Sequence, residues 1–198
     1  LHLAGLLPIL VLVLRSIIVV ALLLLAACEP ESAPAPAPSP SSASAEQRDA
    51  ALGEPTTLIL VRHAEKADDS EDPPLTDEGR ARALELHRVL SDVDVGAVYS
   101  TPFVRTRGTV RPIAEEHGLK IRTYDAASAA DEVRAILKRH PGETVLIVGH
   151  KPSVPAMLNA LLGEEKLPKL KRYDDLFVVS VPPTGTPDIV HLHYGAPH

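Results

Sequence analysis

The sequence predicts an α/β domain: a mostly parallel sheet with helices on both faces. Two observations carry that prediction. Short apolar runs alternate with longer segments whose apolar residues fall at helical spacing, the pattern of strand–helix–strand units. Two of the runs, Thr57-Leu58-Ile59-Leu60-Val61 and Thr144-Val145-Leu146-Ile147-Val148, are each followed within two residues by a histidine, His63 and His150. Open α/β sheets bind ligands outside the carboxyl ends of their strands, so these two endings mark one edge as functional.

Composition divides the chain into three parts. Residues 1–28 are almost wholly apolar, 29–55 are rich in Pro, Ala and Ser, and 56–198 are mixed. The last part is the size of one ordinary domain and long enough to bury a core. Arg15 precedes an unbroken apolar run, Ile17 to Ala27, which ends Leu25-Ala26-Ala27-Cys28. This reads as an export signal, and its small residues before a cysteine resemble the bacterial lipobox, in which Cys28 would carry the lipid. The alternative is a plain membrane anchor, because Leu3 to Ala27 is long enough to span a bilayer. Either reading expects a membrane-attached, extracytoplasmic domain of the cell envelope. Residues 29–55, with Pro30, Pro34, Pro36, Pro38 and Pro40, read as an extended spacer.

A net charge of −6 argues against a nucleic-acid partner, and the absence of Trp argues against base-stacking platforms. Cys28 is the only cysteine, so residues 56–198 hold no thiol nucleophile, disulfide or cysteine metal site.

The elements of the domain follow in order. The first strand, Thr57 to Val61, leads into a polar loop holding Asp68-Asp69-Ser70-Glu71-Asp72. Thr76 is placed to cap a helix whose first residues, Asp77 and Glu78, suit the positive end of its dipole. Gly79, Ala83, Leu86 and Leu90 share one face of that helix. Val95 to Tyr99 reads as a second strand. Ser100-Thr101-Pro102 opens a second helix, which carries Arg105 and stops near His117-Gly118. Leu119 to Tyr124 is a weaker third strand, and Asp131 to His140 a helix closed by Pro141-Gly142. Val145 to Val148 is a buried strand. Val154, Met157, Leu158, Leu161 and Leu162 fall on one helical face. Leu176 to Val181 and Ile189 to His193 are two final strands.

Right-handed crossovers put the strand-to-helix loops on one edge, so Arg62-His63, Ser100 to Arg105 and Gly149-His150 should converge. Arginine presents a planar fork of donors that fits phosphate or carboxylate oxygens, and Arg62 with Arg105 would clamp a phosphoryl group. A neutral imidazole beside that group can attack phosphorus, a second imidazole or a nearby carboxyl group can donate a proton to the leaving oxygen, and cationic neighbours help to keep the attacking ring neutral.

With those residues in place, a resemblance becomes specific. Leu60-Val61-Arg62-His63-Ala64-Glu65-Lys66 resembles the N-terminal motif of the histidine phosphatase superfamily, which includes the phosphoglycerate mutases. Tyr99 to Thr109 resembles the family's second-arginine motif, Val148-Gly149-His150 its second-histidine motif, and Pro74 to Gly79 the segment opening its first helix. The motifs stand in family order along nearly all of residues 56–198. The resemblance implies a phosphoglycerate mutase-like fold and hydrolysis of a small phosphorylated substrate in two steps, without metal or other cofactor. His63 would be the nucleophile, and Arg62, Arg105 and His150 would complete the phosphate pocket. Asp125 is the first candidate proton donor and Glu65 the second; the alternatives are a turn residue and a local ion pair. Lys151 stands where the family often has a small polar residue, so it either adds a substrate contact or faces solvent. The domain lacks the insertions that shape mutase pockets, which argues against mutase activity.

Two other functions fit the same pocket: a non-catalytic phosphate-binding module, and a protein phosphohistidine phosphatase. Arg107 and Arg111 are expected on a solvated helix face. The acidic loop Asp68 to Asp72 is also expected to be solvated; bordering the pocket, it would disfavour polyanions. His191 and His193 share a strand face as half a metal site would, but with no further ligand in view they are expected to be exposed edge residues. His87, His117 and His140 are expected to have no chemical role.

Overall fold

The computed structural model describes residues 53–163 and 170–197. The expected signal segment, Cys28 and nearly all of the spacer lie outside the described residues. The elements in chain order are β1 (Thr56–Arg62), α1 (Asp77–Val89), β2 (Ala97–Ser100), α2 (Val104–Glu116), β3 (Ile121–Thr123), a 3-10 turn (Ala126–Ser128), α3 (Ala129–Arg139), β4 (Thr144–Gly149), α4 (Ser153–Leu162), β5 (Asp175–Val181) and β6 (Asp188–His193).

They form one six-stranded sheet in the order β3-β2-β4-β1-β5-β6. The first four strands of that order are parallel, and β1 and β4 align Thr57 with Thr144 through Arg62 with Gly149. This register brings the two histidine-bearing strand ends to the same level. β5 is antiparallel to β1, and β6 is antiparallel to β5. The expected mostly parallel sheet is therefore a parallel four-strand part closed by an antiparallel pair.

Period-two alternation along β1 builds both cores. Leu58 and Leu60 face one way and pack with Val133 and Ile136 of α3 and Met157 and Leu158 of α4. Ile59 and Val61 face the other way, against Leu86 of α1 and Val110 and Ile113 of α2. Burial on both faces explains why β1 and β4 read as continuous apolar runs. Fully burying side chains of this kind is worth about 1.5–3 kcal/mol each, so the strand ends stand on a rigid platform.

Several boundaries differ from the sequence reading for local reasons. Ser100 ends β2 instead of opening α2, and the helix starts only at Val104. Proline disfavours helical backbone in the residue before it, here Thr101 ahead of Pro102. β3 is limited to three residues. Thr76 caps α1 as expected, accepting from the Gly79 N–H at 3.0 Å. His140 lies at the opposite edge of the sheet, where its carbonyl accepts from the Thr56 hydroxyl, while its ring meets Glu143 and Tyr99.

Candidate active site

His63 follows directly on β1, and its backbone N–H donates to the Gly149 carbonyl at 3.0 Å. That bond locks the end of β1 to the end of β4, where His150 begins the next turn. The two imidazoles meet edge to face with centroids 5.4 Å apart. Gly149 must be glycine here for want of space. A Cβ would come within 2.7 Å of both the Ser153 hydroxyl and the Tyr124 hydroxyl. Tyr124 needs that position because its hydroxyl donates to the Val148 carbonyl. Gly79 has the same role on the other side, where a Cβ would lie 2.3 Å from the Glu65 carbonyl oxygen. The loop carrying His63 therefore rests on the first turn of α1.

The hydrogen bonds of His63 fix its tautomer. Nδ1 lies 2.8 Å from the Ala64 carbonyl, which can only accept. In the neutral ring Nδ1 therefore carries the proton, and Nε2 keeps a free lone pair. Burial pulls the His63 pKa down to about 3, and Arg62, His150 and Arg105 push it the same way. The Ala64 carbonyl opposes them without reversing the result. Burial, Arg105 and Arg62 likewise lower His150 to about 4. Both rings are neutral at neutral pH, and the two guanidinium groups are close enough to act on each. His150 Nε2 also pairs with the Thr101 hydroxyl at 2.9 Å.

The two arginines are held by different means. Arg62 donates through Nη1 to the carbonyls of Lys171 and Arg172, each at 3.3 Å, and stacks over the Tyr173 ring at 3.8 Å. Arg105 stacks over Phe103 at 4.3 Å and donates to the Glu71 carbonyl. Among the described residues both leave a buried Nε–H without an acceptor, which is the donor set an incoming oxyanion needs. The hydroxyl of Thr109 accepts from the Ala64 N–H and donates to the Arg105 carbonyl, so α2 and the His63 loop move as one piece.

The structure thus brings Arg62, His63, Arg105 and His150 together. It treats the two candidate acids differently. Asp125 is exposed, and its carboxylate caps the 3-10 turn by accepting from the Ala127 N–H at 2.9 Å. It follows β3, which β2 and β4 separate from β1, about 14 Å away at the usual strand spacing. Glu65 gives both carboxylate oxygens to Arg82 Nε, at 2.9 and 3.1 Å. Arg82 also holds the Tyr194 and Ala196 carbonyls, so Glu65 belongs to a clasp between this loop and the C-terminal segment. Lys151 is exposed beside His150, and its carbonyl accepts from the Leu170 N–H.

The acidic loop does not simply stand in solvent. Asp72 accepts from the Val104 N–H at the start of α2 and lies 3.6 Å from Arg105. One carboxylate of that loop, Asp72, therefore borders the site. Sequence reasoning also missed Tyr173, which lies before a strand and carries no motif; its centroid is 5.8 Å from that of His63. A cavity of about 780 Å³ opens beyond Glu65 and Arg82, but the histidines do not line it. The two histidines stand at the strand ends instead.

Comparison with known proteins follows the same lines. Residues 58–128 match the model of the histidine phosphatase superfamily (branch 1). No curated protein matches the chain. Among solved structures, the protein histidine phosphatase SixA complexed with tungstate is 18% identical over 69% of this chain and 96% of that one, with a TM-score of 0.58. YhfR of Bacillus stearothermophilus is 21% identical over 68% and 95%, with a TM-score of 0.59. A mycobacterial glucosyl-3-phosphoglycerate phosphatase is 16% identical over 64% and 91%, with a TM-score of 0.54. At these identities the likeness is one of fold.

Proposed function

We propose that this chain, which matches the histidine phosphatase superfamily model over residues 58–128 and shares its fold with solved phosphatases, hydrolyses phosphomonoesters through a phosphohistidine on His63. The observation that carries the reading is the Nδ1–H of His63 fixed on Ala64, which leaves Nε2 as the nucleophile between two guanidinium groups. The Nε2 lone pair attacks phosphorus, the N–P bond forms, and the bond from phosphorus to the leaving oxygen breaks. Water then attacks the phosphohistidine, the N–P bond breaks, and phosphate leaves. Arg62 and Arg105 meet the charge on the phosphoryl oxygens, so the scheme assigns to guanidinium groups what a metal does in other phosphatases. His150, paired with the Thr101 hydroxyl, stands beside the attacking ring.

One observation favours a second reading within this chemistry. Asp125 caps a turn and Glu65 is engaged by Arg82, so neither expected acid is presented to the leaving oxygen. Substrates whose leaving group needs no proton from the protein, such as aryl phosphates or a phosphohistidine already protonated on its second ring nitrogen, are then favoured over alkyl phosphates. Besides the tungstate complex, two further proteins of similar fold, one of them from Agrobacterium tumefaciens, carry the SixA phosphohistidine phosphatase name, which agrees with that preference.

The chain is proposed to act at the cell envelope, attached by lipid on Cys28. The apolar run, the Leu25-Ala26-Ala27-Cys28 ending and the spacer support this. Palmitate labelling of wild type but not of Cys28→Ala tests the anchor. For the reaction, the purified chain is offered an aryl phosphate and the enzyme is trapped in acid and in alkali. An acid-labile, alkali-stable phosphoenzyme that disappears in His63→Ala is expected. Full turnover by His63→Ala would overturn the mechanism, and phosphate binding without turnover would favour a binding module.

A further inference from the structure

At the antiparallel end of the sheet, β6 is the edge strand, and His191 and His193 project from one of its faces. The β5–β6 register places Asp175 directly opposite His193 and Phe177 opposite His191. Asp175 is buried, whereas both histidines are exposed. His191 Nε2 lies 2.9 Å from Asp175 Oδ1, and His193 Nδ1 lies 3.6 Å from the same oxygen. One ligand atom from each of the three residues lies within 4.8 Å of the other two. The His191 ring is stacked on Phe177 at 4.3 Å and 13°, which fixes its direction.

We propose that Asp175, His191 and His193 form a binding site for one divalent transition-metal ion of the zinc class on the β5–β6 edge. With Zn–N and Zn–O bonds near 2.0–2.1 Å, tetrahedral ligand atoms stand about 3.3 Å apart, between the two distances seen here. Two imidazoles and one carboxylate are a known three-ligand set for zinc, with water in the remaining position on the exposed side. Imidazole ligands favour zinc, copper or nickel over magnesium or calcium. The stacking of His191 and the burial of Asp175 mean that two of the three ligands need little ordering when the ion arrives. Asp175 opens β5, the strand next to the β1 that ends at Arg62, so the ion binds one strand away from the phosphate clamp.

The inference stands independently of the phosphatase reading. The whole chain, in detergent, is titrated with ZnCl₂ against a chromophoric chelator. Wild type is expected to take up one equivalent more than the His191→Ala/His193→Ala double variant. Each single variant should weaken that equivalent by at least roughly tenfold, since removing a ligand costs no less than removing a ligand's support. ZnCl₂ should raise the Tm of wild type and not of the double variant, because an ion that binds only the folded state stabilises it. The double variant should keep the aryl phosphatase rate measured without added metal. Equal uptake and equal Tm shifts in wild type and double variant would overturn the site. An equal response to MgCl₂ would overturn the class of ion.

Discussion

The two sides of the sheet supply their active-edge residues by opposite routes. On the parallel side, β1 and β4 run toward the functional edge, and the residues immediately after them, His63 and His150, arrive there. On the antiparallel side β5 runs away from that edge, so the residues before it arrive instead. Tyr173 under Arg62 and Asp175 at the strand's first position are the result. The parallel side carries the groups proposed to react with and clamp the phosphoryl group. The antiparallel side holds one of those clamps, Arg62, through the Lys171 and Arg172 carbonyls and the Tyr173 ring. Arg62 is the residue on which both sides act.

Removing Arg62 should therefore have the largest effect. Arg62→Ala is expected to lower kcat/KM for an aryl phosphate by about 10²–10³, the usual cost of one oxyanion donor, while Tyr173 loses its partner. A drop of less than tenfold would mean that the clamp lies elsewhere. Acid should separate the two sides next. His63 and His150 have folded pKa values of about 3 and about 4, below the ordinary histidine value of 6.5. Between those values the unfolded chain binds more protons, so stability is intact above about pH 6.5 and falls as pH drops toward 4 and then 3. Urea unfolding across that range should show the decline, and His63→Asn should flatten it.

Two smaller effects follow, one on each side. Gly149→Ala must push aside the Ser153 and Tyr124 hydroxyls, with an expected loss of about 1–3 kcal/mol in urea unfolding, typical of overpacking. Tyr173→Ala removes a cation–π contact worth about 0.5–2 kcal/mol, so KM should rise severalfold with little change in kcat. Tyr173→Phe should retain most of that affinity. An effect of Tyr173→Ala on kcat as large as that of Arg62→Ala would erase the division between the two sides.

The same division explains what could be read from the sequence. The parallel strands are buried on both faces, so Leu58 to Val61 and Val145 to Val148 are unbroken apolar runs that announce themselves. A rule that searches just after a strand then finds Arg62, His63, Gly149 and His150. It cannot find Tyr173, which comes before its strand and which only the antiparallel pairing of β5 brings to the edge. The same rule led to Asp125, which does follow a strand; but β3 lies at the sheet's end, and its short polar turn claims the carboxylate as a cap. Glu65 stands in the motif itself, and what its side chain does is decided by Arg82, seventeen positions away in sequence. His191 and His193 were legible as a pair on one face, but the third group, Asp175, becomes their neighbour only through the hairpin register.

The Arg82 clasp has a practical side for anyone who handles this protein. One guanidinium grips Glu65, two residues past His63, and the carbonyls of Tyr194 and Ala196. An affinity tag or fluorescent reporter fused just beyond residue 197 would therefore pull on a tether that ends beside the histidines. Labels intended to be silent belong on the exposed surface of α1, for example at Leu84, where a modification meets solvent and not the clasp.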